Sequence, residues 1–233
     1  MTLRIAGTDG CSSGWLCIEQ GENGLLSPRL HRTTSELLAY AGTFDLLTID
    51  IPIGLRDDGP RQVDILARRL LGPRASSVFP APVRAALDGE SYLDACARSA
   101  AACGKRLSRQ AFAILPKISE VDKGLRADSQ LAEHVREVHP EVCFYFLNNK
   151  QPMPHPKKSG QGYLDRYRLL ESHFGAVIAD LRKQVPRRDA ADDDLLDALV
   201  ALWSAQRVHA RGHVCLPPDP PRDRFGLRME MVA

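Results

Sequence analysis

Leu46-Leu47-Thr48-Ile49-Asp50-Ile51-Pro52-Ile53-Gly54 is a continuous apolar run interrupted by one carboxylate. Such a run, with its β-branched residues, reads as a fully buried strand of a parallel sheet. An ionised Asp inside it is costly unless it is paired, hydrogen-bonded or metal-bound. Pro52 removes a backbone donor and Gly54 permits a turn, so the strand stops just after Asp50. Asp50 then sits near the carboxyl end of a central strand, the edge of an open α/β sheet where ligands bind.

A second strand repeats the device. Residues 3–8 alternate and end at Asp9-Gly10; Cys11-Ser12-Ser13-Gly14 turns, and residues 15–19 read as the returning arm of a hairpin. If the strands ending in Asp9 and Asp50 are parallel neighbours, two carboxylates meet at one edge. They repel, and a divalent cation is the usual resolution.

The totals bound the function classes. The 233 residues suit one domain or one domain with a large insertion, and 44% hydrophobic residues suffice for a sizeable core. A net charge of +2 gives no strong global field, so it neither demands nor excludes nucleic acid. The six cysteines contain no C-x-x-C pair, which disfavours a zinc knuckle and suits free cytosolic thiols. No leader and no membrane-length apolar run is visible, so a soluble, cytoplasmic protein without a membrane partner is expected.

Residues 3–9, 15–19 and 25–31 read as three strands, Thr34 as the cap of a short helix, and residues 45–51 as the fourth strand. Residues 52–133 are helical in pattern: 63–71 closed by Gly72-Pro73, 91–102, a helix capped by Ser108 that runs into Pro116, and a renewed pattern over 118–134. No Gly/Ser linker bounds this stretch, so it reads as an insertion rather than a second domain. A short strand at 135–138 follows, then helices opening at Pro140, at Tyr163 and near Val177, a long last helix over 189–210, and an edge strand at 227–232.

The last helix carries the rest of the chemistry. It opens Asp189-Ala190-Ala191-Asp192-Asp193-Asp194-Leu195-Leu196-Asp197-Ala198. Capping and the helix dipole account for Asp189 and Asp192. They account poorly for Asp197, which lies deeper among Leu, Ala, Val and Trp. Asp194 and Asp193 share a helix face with Asp197. Glu137, near the end of its strand, joins Asp9 and Asp50, with an ion pair to a basic residue as the alternative.

This layout resembles the ribonuclease H-like superfamily, including RuvC-type resolvases, whose late helix carries a similar Asp-x-x-Asp-Ala. A closer resemblance is to a bacterial and archaeal family described as predicted ribonuclease H-like nucleases, a domain of unknown function. The motifs are Gly7-Thr8-Asp9-Gly10-Cys11 with Gly14-Trp15, Ile49 to Gly54, Leu71-Gly72-Pro73-Arg74 with Ser76 to Pro80, Pro116-Lys117-Ile118 with Glu120-Val121-Asp122, Glu137 to Glu141, Lys157-Lys158, and Asp193-Asp194 with Leu196-Asp197-Ala198. The resemblance implies one α/β, ribonuclease H-like domain over 1–233. Its mixed five-stranded sheet is flanked by helices, with the helical insertion (about 52–133) between the fourth and fifth strands.

It also implies hydrolysis of a phosphodiester in nucleic acid or a nucleotide by two Mg²⁺ or Mn²⁺ ions about 3.5–4 Å apart. Asp9 and Asp50 would be the core ligands, completed by Glu137, Asp194 and Asp197. If the insertion covers the acidic edge, the substrate is small. Two other classes stay open: a nucleotide-dependent phosphotransferase or ATPase of the actin-like branch, and a non-catalytic metal-binding module.

Secondary candidates have plainer readings beside them. Lys117, with Glu120 and Asp122, is a lid residue or part of a salt-bridged helix face. Arg74 and Ser76-Ser77 hold a phosphate or punctuate a loop. Lys157 and Lys158 neutralise a substrate phosphate or are solvated. His139 is a base or ligand, or a hydrogen-bonded structural residue. Arg182, Lys183, Arg187 and Arg188 are the densest basic cluster but lack interleaved aromatics, so single-strand stacking is not indicated. Trp15 and Trp203 read as core.

Overall fold

The computed structural model describes residues 3–233. It opens β1 (Ile5–Cys11), β2 (Gly14–Gln20), β3 (Leu26–His31), α1 (Thr34–Ala41) and β4 (Leu46–Ile49). β5 (Val135–Glu137) completes a sheet in the order β3-β2-β1-β4-β5. β2 is antiparallel to β1 and β3, while β4 is parallel to β1 and β5. The chain thus has the expected α/β architecture, a mixed five-stranded sheet flanked by helices. Every residue of β4 is buried, which is why Leu46-Leu47-Thr48-Ile49 does not alternate. β3, at the edge, alternates and tolerates Pro28, which has no N–H to give.

Between β4 and β5 the described elements are all helical: α2 (Gln62–Leu71), two short 3-10 turns, α3 (Tyr92–Cys103), α4 (Arg109–Ala127) and α5 (Ser129–His134). After β5 come α6 (Pro140–Leu147), α7 (Gly160–Phe174), α8 (Val177–Gln184) and α9 (Asp192–His209). On one face of the sheet, Ile5, Leu16, Ile18 and Leu46 join the core cluster of α9. On the other, Ala6, Trp15, Cys17, Leu47, Ile49 and Val135 pack with α1 and α4. No described helix is long and apolar enough to cross a membrane.

Four local expectations change. Thr33, not Thr34, caps α1; Thr34 instead accepts the Trp15 indole N–H at 3.1 Å. α4 runs unbroken through Pro116, because Leu115, Ile118, Val121 and Leu125 bury both flanking turns and offset the ~3 kcal/mol that an interior proline costs. The last helix starts at Asp192, leaving Asp189 outside it to accept the Ser13 hydroxyl at 2.7 Å. The 227–232 strand is no edge of the main sheet: β7 (Met231–Val232) pairs with β6 (Cys215–Leu216) as a separate ribbon.

Candidate functional site

Gly7 of β1 and Thr48 of β4 are register partners, and α9 lies on both. A β-carbon on Gly7 would meet the Leu202 nitrogen at 1.9 Å, so helix and strand touch backbone to backbone there. The Thr48 hydroxyl donates to the Ala201 carbonyl at 2.7 Å. Two residues further along each strand, on the same face, come Asp9 and Asp50. The Asp50 N–H donates to the Thr8 carbonyl at 3.0 Å, which carries the pairing one residue past β4. One turn back from Ala201 on α9 is Asp197. Three carboxylates from distant parts of the chain are thereby delivered to one place.

Their electrostatics agree. Burial, then repulsion from Asp197 and Asp50, raises the Asp9 carboxyl well above its ordinary range. Burial also raises Asp50, against the pull of His139 and Lys157. Burial lifts Asp197 to about 6, although Lys157 draws it down. The Lys157 ammonium sits 2.7 Å from Asp197 and 3.6 Å from Asp193. Burial lowers Lys157, but Asp197, Asp9 and Asp193 outweigh it and hold the ammonium firmly protonated.

Two cavities open on this cluster. One, of about 200 Å³, is walled by Asp9, Asp50, Trp15, Phe79, Ile114 and Lys117 among others. The second, of about 240 Å³, is walled chiefly by Arg74, Ser76, Ser77, Gln110, Lys157 and Asp197. Asp50, Phe79 and His139 line both.

A family profile described as "Protein of unknown function (DUF429)" matches residues 7–222. The chain belongs to that family. No curated protein and no solved structure matches it. The DUF429 match runs from Gly7, where α9 meets β1, past the acids of α9, so the whole cluster lies inside it.

Two of the five acids expected to converge in this DUF429 chain have hydrogen-bond partners of their own, although Glu137 lines the first cavity with Asp9 and Asp50 and Asp194 still acts on the Asp9 carboxyl. Glu137 receives both Arg61 terminal nitrogens at 2.7 Å and the Ile53 N–H at 2.6 Å. Burial raises it to about 7 even beside Arg61. Asp194 accepts the Ala191 N–H at 2.8 Å, closing the start of α9. With Asp197 turned to Lys157 as well, no three His, Cys, Asp or Glu side chains among the described residues are placed to share one ion. Of the five expected acids, Asp9, Asp50 and Asp197 interact most directly, and Glu137 and Asp194 carry hydrogen bonds of their own. In donor type, carboxylate oxygens suit a hard divalent cation; Asp9 is raised by burial and then by the neighbouring acids, while Asp197 already has Lys157 as its cation.

The remaining candidates separate similarly. Lys117 does not pair with Glu120 or Asp122. It reaches the β1–β2 turn, donating to the Gly14 carbonyl at 2.7 Å with its ammonium 4.6 Å from the Trp15 ring. Asp122 pairs with Arg84 and Arg126. His139 is hydrogen-bonded on both ring nitrogens, Nδ1 accepting the Glu141 N–H and Nε2 facing the Ser77 carbonyl, each at 3.2 Å, while it lines both cavities. Arg74 lines the second cavity, and Lys158 is exposed. Arg61 is the buried hub for Glu137, Asp64 and the Ile53 carbonyl; the sequence does not display this hub, because Glu137 lies 76 residues away.

Proposed function

We propose that this chain is a metal-dependent hydrolase of phosphodiester bonds on a ribonuclease H-like fold. The sheet order, with β2 reversed and α9 laid across β1 and β4, supports that fold assignment. The observation that carries the activity is the delivery of Asp9, Asp50 and Asp197 to one edge of the sheet by three separate elements.

Asp9, Asp50 and Asp197 would hold Mg²⁺ or Mn²⁺, which when bound polarises a phosphoryl oxygen and acidifies its water. Lys157 supplies, against Asp197, positive charge that a two-ion site would take from a second metal. Glu137 and Arg61 act at a distance: they grip the Ile53 N–H and carbonyl and so fix the turn that follows Asp50. Gly54, at φ 69° and pressed against Arg228 and Met229, completes that turn.

The test is hydrolysis of oligonucleotides with Mg²⁺ or Mn²⁺, compared with Asp9→Asn and Asp50→Asn. Loss of cleavage in both variants and in chelator is expected; full activity in chelator removes the proposal. A second reading, a non-catalytic metal module, is favoured by the Lys157–Asp197 ion pair alone. Ion-dependent thermal stabilisation without turnover on any substrate would select it.

A further inference from the structure

The two cavities beside Asp50 differ in chemistry, and the difference points to a substrate. The first carries the larger apolar surface, from Trp15, Ile51, Phe79, Ile114, Val138 and Met231, with Asp9, Asp50, Lys117 and the Arg61–Glu137 pair among its polar lining. Phe79 and Ile114 are only partly buried, so part of their apolar surface remains to be covered. The second cavity is polar. Arg74, Ser76, Ser77, Gln110, Glu141, Lys157, Asp197 and Asp50 line it, with Phe79 and Pro140 as its apolar part.

Arg74 is the key to the second cavity. Its Nε donates to Glu141 at 3.2 Å. Glu141 is already held by Arg166, whose NH2 group lies 2.9 and 2.7 Å from its two oxygens. One carboxylate therefore faces two guanidinium groups, and Arg74, bonded through Nε, has its terminal nitrogens beside Ser76 and Ser77 in a cavity that Asp50 and Asp197 also line. The arrangement suits an incoming anion with several oxygens, which a guanidinium can grip with paired hydrogen bonds.

Size limits the choice further. Cavities of about 200 and 240 Å³ together fall within the range of small-molecule sites. α4, through Ile114 and Lys117, and the 3-10 turn Gly72–Ser77 stand over them. A duplex needs an open basic face that tracks its backbone, and these are two small adjoining cavities that share Asp50, Phe79 and His139.

We propose that the substrate is a short nucleotide bearing a terminal phosphate: its base fills the apolar chamber, its terminal phosphate binds Arg74, Ser76 and Ser77, and its scissile phosphodiester lies between them at Asp50. This rests on the hydrolase reading for the role of Asp50. The two chambers themselves do not depend on it.

The experiment is calorimetric binding, in chelator, of a 5′-phosphorylated dinucleotide, the same dinucleotide without its terminal phosphate, and a long duplex. The phosphorylated dinucleotide is expected to bind, and losing the terminal phosphate weakens it at least tenfold. Arg74→Ala gives a similar loss for the phosphorylated probe and little change for the other. Ser77→Ala leaves the Glu141–Arg166 pair untouched and gives a smaller loss in the same direction, which keeps the test decisive if Arg74→Ala fails to fold.

Absence of dinucleotide binding, equal binding of duplex, or indifference to the terminal phosphate overturns the proposal. Turnover with Mn²⁺ is scored separately. Dinucleotide bound but never cleaved sinks the hydrolase reading and upholds the two chambers. Duplex cleaved without dinucleotide binding does the reverse.

Discussion

Ile49 and Glu137 face each other in register across β4 and β5, so Glu137 leaves the sheet on the side opposite Asp50. There it meets Arg61, and both are almost wholly buried. Glu137→Gln is expected to destabilise the fold by about 3 kcal/mol, since a buried guanidinium loses one of its two charged partners. Urea unfolding checks this. Mn²⁺ affinity of the folded variant should match wild type; a tenfold loss would restore Glu137 as a ligand.

The contact between α9 and β1 leaves no room for a side chain at Gly7. Gly7→Ala must push the helix off the strand, and with it Asp197 away from Asp9. A loss of about 3 kcal/mol or more in stability is expected, beyond the usual range for overpacking, because the obstruction is backbone. A Gly7→Ala protein as stable as wild type would contradict this packing.

Burial raises the Asp197 carboxyl from 3.8 to about 6. An acid whose folded pKa exceeds its unfolded value favours the folded state while protonated, and that advantage disappears as pH rises from about 4 to about 6. In chelator, wild type should therefore lose roughly 2–3 kcal/mol relative to Asp197→Asn over that window. Unfolding midpoints for the two proteins at both ends of the range measure the difference; a constant gap would contradict the cause assigned here.

Lys157 shields Asp197 while remaining partly exposed itself. Lys157→Ala should destabilise the ion-free protein by only about 1–2 kcal/mol, because solvent already screens the pair. Mn²⁺ should then bind more tightly, since a competing cation is gone. Weaker Mn²⁺ binding in this variant would show that Lys157 assists the ion rather than standing in for one.

The sheet and the three converging acids were legible because their causes are local. An Asp in an unbroken apolar strand, an Asp at a hairpin turn and an Asp deep in an apolar helix each stand out against their neighbours. Distance to the strand end does not reveal the Arg61 partner of Glu137; alternation from Val135, buried with α1 and α4, puts Glu137 on the other face of the sheet from Asp50, yet both still line one cavity at the sheet edge. Asp194 was read with Asp197 because they share a helix face, yet its position in the first turn favours the local N–H of Ala191. Arg61, Arg74 and the chamber walls come together only through long-range packing, which no short window of sequence displays.

The most direct test is a calorimetric Mn²⁺ titration of wild type and Asp50→Asn under identical conditions. A single ion bound per wild-type chain and at least a tenfold loss in the variant are expected from carboxylates gathered around one cation. Equal binding by both proteins, or none by the wild type, would contradict the role given to the acidic cluster.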